Sequence, residues 1–150
     1  MVTLLRTNSE HRDFLELVRH LDRDLAIRDG DDHAFYAQYN KVTMIKHCIV
    51  AYDNEKPVGC GAIKEFDSAS MEVKRMYTPP ELRGKGIAVR VLAELEKWAA
   101  ELGYKRCVLE TGKKQPEAIA LYTKCGYTII PNYGQYAGIE NSVCFEKRIS

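Results

Sequence analysis

The sequence predicts a single α/β domain spanning residues 1–150, with a mixed, mostly antiparallel sheet and helices on both of its faces. Three observations carry this. The chain is 150 residues long, a one-domain size that buries roughly 68 to 70% of the unfolded chain's surface. Between residues 45 and 77 it reads as consecutive β-segments separated by turn residues. After the glycines at 84 and 86, strand-like and helix-periodic stretches alternate to the end.

In order along the chain, Thr7 and Glu10 have the spacing of a capping box, and Phe14, Leu17, Val18, Leu21 and Leu25 recur on one helical face. An amphipathic helix is expected, broken by Asp29-Gly30, with a shorter one over Asp32–Tyr39. Ile45–Tyr52 and Val58–Lys64 are β-rich, and the residues between them, Asp53-Asn54-Glu55-Lys56-Pro57, are turn chemistry, which predicts a hairpin. A third strand, Met71–Tyr77, would place Glu72, Lys74 and Met76 on one face and Val73, Arg75 and Tyr77 on the other. It ends at Pro79-Pro80. Ala88, Val91, Leu92, Leu95, Trp98, Ala99 and Leu102 keep helical spacing until Gly103 stops the helix. A strand at Cys107–Glu110, a helix from Pro116 to Cys125-Gly126, and strands at Tyr127–Ile130 and Val143–Lys147 complete the chain.

Composition narrows the function classes. A net charge of +1 gives no overall field to attract nucleic acid. Arg6, Glu10, Arg12 and Asp13, without a long apolar run, argue against a signal peptide or membrane span, so a cytoplasmic protein is expected. The five cysteines, Cys48, Cys60, Cys107, Cys125 and Cys144, lack C-x-x-C spacing and read as buried free thiols, with no metal site.

The segment Arg83-Gly84-Lys85-Gly86-Ile87-Ala88 lies where a strand gives way to a helix, so free backbone N–H groups and the helix dipole point at one place. Glycines at 84 and 86 let the backbone approach a phosphate closely, while Arg83 and Lys85 add charge. Alone, the run is equally a tight basic turn. Neither a P-loop nor a dinucleotide fingerprint is completed, because no Lys-Ser or Lys-Thr follows and G-x-G-x-x-G fails.

Here the chain resembles the GCN5-related N-acetyltransferase (GNAT) superfamily, whose acetyl-CoA motif is Q/R-x-x-G-x-G/A at a strand-to-helix junction; Arg83, Gly86 and Ala88 fit it. The resemblance extends upstream over Glu72-Val73-Lys74-Arg75-Met76-Tyr77-Thr78 and downstream over Ala118-Ile119-Ala120-Leu121-Tyr122-Thr123-Lys124-Cys125-Gly126-Tyr127. One departure is Gln115, seven residues before Tyr122, where many members carry Asn.

The resemblance implies transfer of an acetyl group from acetyl-CoA to a primary amine of a small molecule or peptide. A non-catalytic acyl-CoA sensor is the alternative. The cofactor would lie on Met76, Tyr77, Thr78, Arg83, Gly84, Lys85, Gly86, Ile87, Ala88 and Gln115. Glu72 would be the general base, with Glu65 and Glu110 in reserve, and Tyr122 the proton donor to the departing thiolate. The residues alone leave open whether Glu72 is a surface strand residue paired with a lysine and whether Tyr122 simply packs. Tyr133, Gln135 and Tyr136, with His33 and Tyr36, are candidates for the acceptor pocket. The family also makes a homodimer possible.

Overall fold

The computed structural model describes residues 1–30 and 44–150; the short helix expected at Asp32–Tyr39, with His33 and Tyr36, lies outside them. The described elements are β1 (Val2–Thr7), α1 (Arg12–Asp29), β2 (His47–Asp53), β3 (Lys56–Asp67), β4 (Ser70–Tyr77), α2 (Ile87–Glu101), β5 (Arg106–Gly112), α3 (Pro116–Lys124), β6 (Thr128–Ile130) and β7 (Ser142–Arg148). The strands form one sheet in the order β1-β2-β3-β4-β5-β7-β6. Every neighbouring pair is antiparallel except β4 and β5. No described helix is long and apolar enough to cross a membrane.

Each face is covered by the helix whose apolar stripe fits it. Phe14, Leu17 and Val18 of α1 pack on Cys48, Val50, Cys60 and Ala62. Ile87, Val91, Leu92, Leu95 and Ala99 of α2 pack on Ile49, Ile63, Met71 and Val73 from the other side. The alternation along β2, Cys48 and Val50 facing α1 while Ile49 and Ala51 face α2, is the period of a strand buried on both faces. Burying a side chain such as Leu95 contributes about 1.5–3 kcal/mol.

Three expectations give way to tertiary structure. Thr7 is not a cap: it closes β1, an edge strand paired with β2 from Val2↔Asp53 to Thr7↔Cys48. The cap of α1 is His11, whose Nδ1 accepts from the Asp13 N–H at 3.2 Å. The β2–β3 turn is tighter than read, with Asn54 and Glu55 both at positive φ, the two-residue geometry that matches the strand twist.

The third correction shapes the site. β4 does not keep a simple alternation, because its register with β3 slips between Cys60↔Tyr77 and Ala62↔Lys74. Arg75 takes φ +59°, a bulge that turns the following side chains over. Met76 therefore joins Met71 and Val73 on the α2 side, whereas Tyr77 packs on the α1 side. Arg75 itself faces α1 rather than joining Val73, with Nη1 2.6 Å from Asp22 of that helix. Gly61 makes room opposite: a Cβ there would stand 2.5 Å from the Met76 sulfur and 2.9 Å from Leu95.

Candidate active site

The site begins with a parting of two strands. The parallel pairing of β4 and β5 runs only from Ser70↔Arg106 to Glu72↔Val108, while β5 continues beside β7 as far as Gly112↔Ser142. Beyond Glu72, β4 has no β5 partner, so the bulged half of β4 presents an open edge. Two adjoining cavities of about 310 and 120 Å³ occupy the opening. Leu21 and Leu25 of α1, and Ala118 and Tyr122 of α3, line both. Both cavities also touch Met76 and Gln115.

The larger cavity reaches Gly84 and Gly86 and the first residues of α2, Ile87, Ala88 and Val89. Gly84 and Gly86 have φ of +81° and +80°, the left-handed region that only glycine enters without strain. A Cβ at either would meet nothing within 4 Å, so the space beyond the turn is open. Gly86 caps α2 without any side-chain bond. Among the described residues, the first backbone bond into the helix is from the Arg90 N–H to the Gly86 carbonyl. The N–H groups of residues 84–89 thus stand together at the positive end of the helix dipole. Arg83, expected to add charge at the turn, is itself paired. Its Nε donates to the Thr78 carbonyl at 3.0 Å and its Nη2 lies 3.5 Å from Asp24 of α1. Lys85 is exposed. Thr78 is 8% exposed, and its Oγ1 has no hydrogen-bond partner.

The smaller cavity is lined by charge. Glu72, Lys74, Arg75 and Glu110 all border it, together with Tyr136. Glu72 is no surface residue; it is 9% exposed. Its Oε2 accepts from the Tyr133 hydroxyl at 2.7 Å, and Lys74 Nζ stands 3.5 Å from Oε1. Tyr133 and Tyr136 meet edge to face, which ties the segment between β6 and β7 to the site. Burial, reinforced by the Glu72 carboxylate, pushes the Tyr133 hydroxyl far above the usual phenol range, so it remains a donor to Glu72. Tyr122 is also buried, against Tyr127 and Phe145, and burial raises its hydroxyl as well. Glu65 is exposed in β3, accepts from the Tyr104 hydroxyl and borders neither cavity.

Comparison with known proteins matches this architecture. The model of the acetyltransferase (GNAT) family fits residues 12–127. The chain belongs to the GNAT family of acetyltransferases. An IAA acetyltransferase from Azospirillum brasilense is 34% identical over 154 residues, covering 97% of each chain. A Klebsiella pneumoniae protein assigned as an acyl-CoA N-acyltransferase superimposes with a TM-score of 0.84 at 27% identity, over 100% of this chain and 99% of that one. The fold also recurs in a GNAT acetyltransferase from Elizabethkingia anophelis with acetyl-CoA bound, at TM-score 0.69 and 18% identity over 98% and 97% of the two chains.

In a GNAT enzyme the acyl donor is acetyl-CoA, and the larger cavity of this one fits it. The clustered N–H groups and open space at Gly84 and Gly86 suit phosphates. The open β4 edge and the unpartnered Thr78 Oγ1 suit an amide-bearing arm. The fold thus gathers Glu72, Met76, Tyr77, Thr78, Arg83, Gly84, Gly86, Ile87, Ala88, Gln115 and Tyr122 around two adjoining cavities, whereas Lys85 lines neither. The place of Arg75 at the cavity wall and the Tyr133–Glu72 bond are not legible in the sequence. The first depends on a bulge without a glycine to mark it, the second on a contact across 61 residues.

Proposed function

We propose that this chain transfers an acetyl group from acetyl-CoA to a primary amine of a small molecule or peptide, with Glu72 as general base. The observation that carries the reading is a buried carboxylate at the wall of a cavity that adjoins the phosphate-suited cleft. The amine nitrogen attacks the thioester carbonyl carbon; a C–N bond forms and the C–S bond breaks. The amine's proton passes to Glu72, directly or through water, and the departing thiolate takes up a proton.

Magnitude makes the base useful. An amine of pKa about 10.4 is neutral in only about 1 molecule in 2,500 at pH 7, equivalent to roughly 4.6 kcal/mol. Tyr133 holds one carboxylate oxygen and Lys74 stands 3.5 Å from the other, which fixes the Glu72 carboxylate at the cavity wall. Glu110 borders the same cavity and is the second candidate. The cofactor would rest on the backbone of residues 84–88, on Met76, Tyr77 and Thr78, and on Gln115. Lys85 supplies phosphate charge, while Arg83 braces the turn through Thr78 and Asp24.

Tyr122 is the candidate proton donor to the thiolate. Transfer from an ordinary phenol of pKa about 10 to a thiol of about 8.5 is already uphill by roughly 2 kcal/mol, and burial raises the Tyr122 hydroxyl further. Tyr122→Phe is therefore expected to cost only a few-fold in turnover, well short of the roughly 10² to 10⁴ of an effective general acid. A loss of that larger size with the fold intact would give Tyr122 the leading role. The reaction itself is tested by incubating the protein with acetyl-CoA and a panel of amino acids, polyamines, aminoglycosides and lysine peptides, following free thiol. Amine-dependent thiol release is expected. Thermal stabilisation by acetyl-CoA without release for any amine would instead mark a binding module.

A further inference from the structure

Resting on the acetyl-transfer reading, we infer that the acceptor is a small zwitterion, an amine that also carries a carboxylate, and that Arg75 receives the carboxylate. Arg75 borders the smaller cavity, and its side chain is only 4% exposed. A guanidinium keeps its charge at any working pH and presents N–H donors in a fixed fork. Nη1 donates to Asp22 at 2.6 Å, but Nη2 is buried without a hydrogen-bond partner. A buried charged donor left in that state is costly, and a carboxylate oxygen is a strong acceptor that matches it. The backbone beneath it lies at φ +59°, an uncommon state for a residue with a side chain, of the kind that collects at ligand sites.

The neighbouring charges divide the cavity into two kinds of wall. Glu72 and Glu110 offer negative charge to an ammonium or its proton, and Arg75 and Lys74 offer positive charge to an anion. Lys74 is partly engaged by Glu72 at 3.5 Å, and Asp22, with a side chain 46% exposed, faces Arg75 from α1. A simple amine would bring no partner for the cationic wall. A polyamine would set a second ammonium against it, which costs rather than gains at short range. The volume of about 120 Å³ lies below the roughly 300–1,000 Å³ of drug-sized sites, so a compact molecule is favoured over an oligosaccharide.

Matched amines test this without altering the protein. Initial rates with acetyl-CoA are compared for a set of amino acids, the corresponding amino acid amides, and the amines that lack the carboxylate. For at least one amino acid, kcat/KM is expected to exceed that of its amide and its decarboxylated amine by about 10- to 100-fold, the size of a charged hydrogen bond. In Arg75→Gln that ratio should fall toward 1, with Arg75→Lys recovering part of it. Transfer to amides and plain amines as fast as to the amino acids would overturn the zwitterion and leave acetyl transfer standing. A preference that survives Arg75→Gln in the folded variant would remove Arg75 from recognition. Thiol release with none of the amines would overturn the reaction, and this inference with it.

Discussion

Glu72→Gln is expected to lower acetyl transfer by roughly 10² to 10⁴ near neutral pH, the usual contribution of general-base catalysis, while leaving acetyl-CoA affinity close to that of the parent. The split follows from position. Glu72 borders the smaller, charged cavity, whereas the phosphate-suited turn opens into the larger one. Glutamine keeps the size of the side chain and can still accept from the Tyr133 hydroxyl that now bonds Oε2 at 2.7 Å, so the fold should persist. Raising the pH should narrow the gap between variant and parent, because a larger share of the amine is already neutral as its own pKa is approached. A pH–rate profile of both proteins, together with an acetyl-CoA titration, reads all three quantities. Parental turnover across the range would move the base to Glu110, which borders the same cavity, or to bulk water.

The second large effect is expected at the turn. Gly86→Asp should abolish measurable acetyl-CoA binding at concentrations that saturate the parent. Two causes act together. Residue 86 lies at φ +80°, where a side chain is strained by roughly 1–2 kcal/mol. The carboxylate would also project into the open space beyond the turn and repel phosphates from the N–H groups arranged for them. Gly86→Ala separates the causes, since it carries the strain without the charge and should lose less affinity. Circular dichroism of both variants establishes folding before binding is measured. Parental affinity in a folded Gly86→Asp would reduce the segment to a basic turn.

Much of this site is legible in the sequence. The Gly84–Ala88 turn stood out because two glycines precede a strongly periodic helix, and local physics alone dictates what such a junction offers. The meander, the position of β4 and the helices on both faces followed from period and turn residues in the same way. What failed was everything settled by distant partners. β1 is an edge strand whose state is decided by pairing with β2, far away in sequence, in the register from Val2↔Asp53 to Thr7↔Cys48, and Thr7-Glu10 imitated a cap locally. The bulge at Arg75 carries no glycine, so strict alternation misassigned Met76, Arg75 and Tyr77. Tyr133 reaches Glu72 only after the segment between β6 and β7 has folded against the sheet.

The central claim is that acetyl-CoA enters where β4 and β5 part. Titration of acetyl-CoA into isotopically labelled protein, followed by backbone amide chemical shifts, addresses it directly. The account predicts that the largest shifts fall on the amides of residues 84–89 and 76–78 and on Gln115, with ATP lacking the pantetheine arm shifting residues 76–78 far less. Shifts concentrated away from both groups, or ATP moving all of them as strongly, would contradict it.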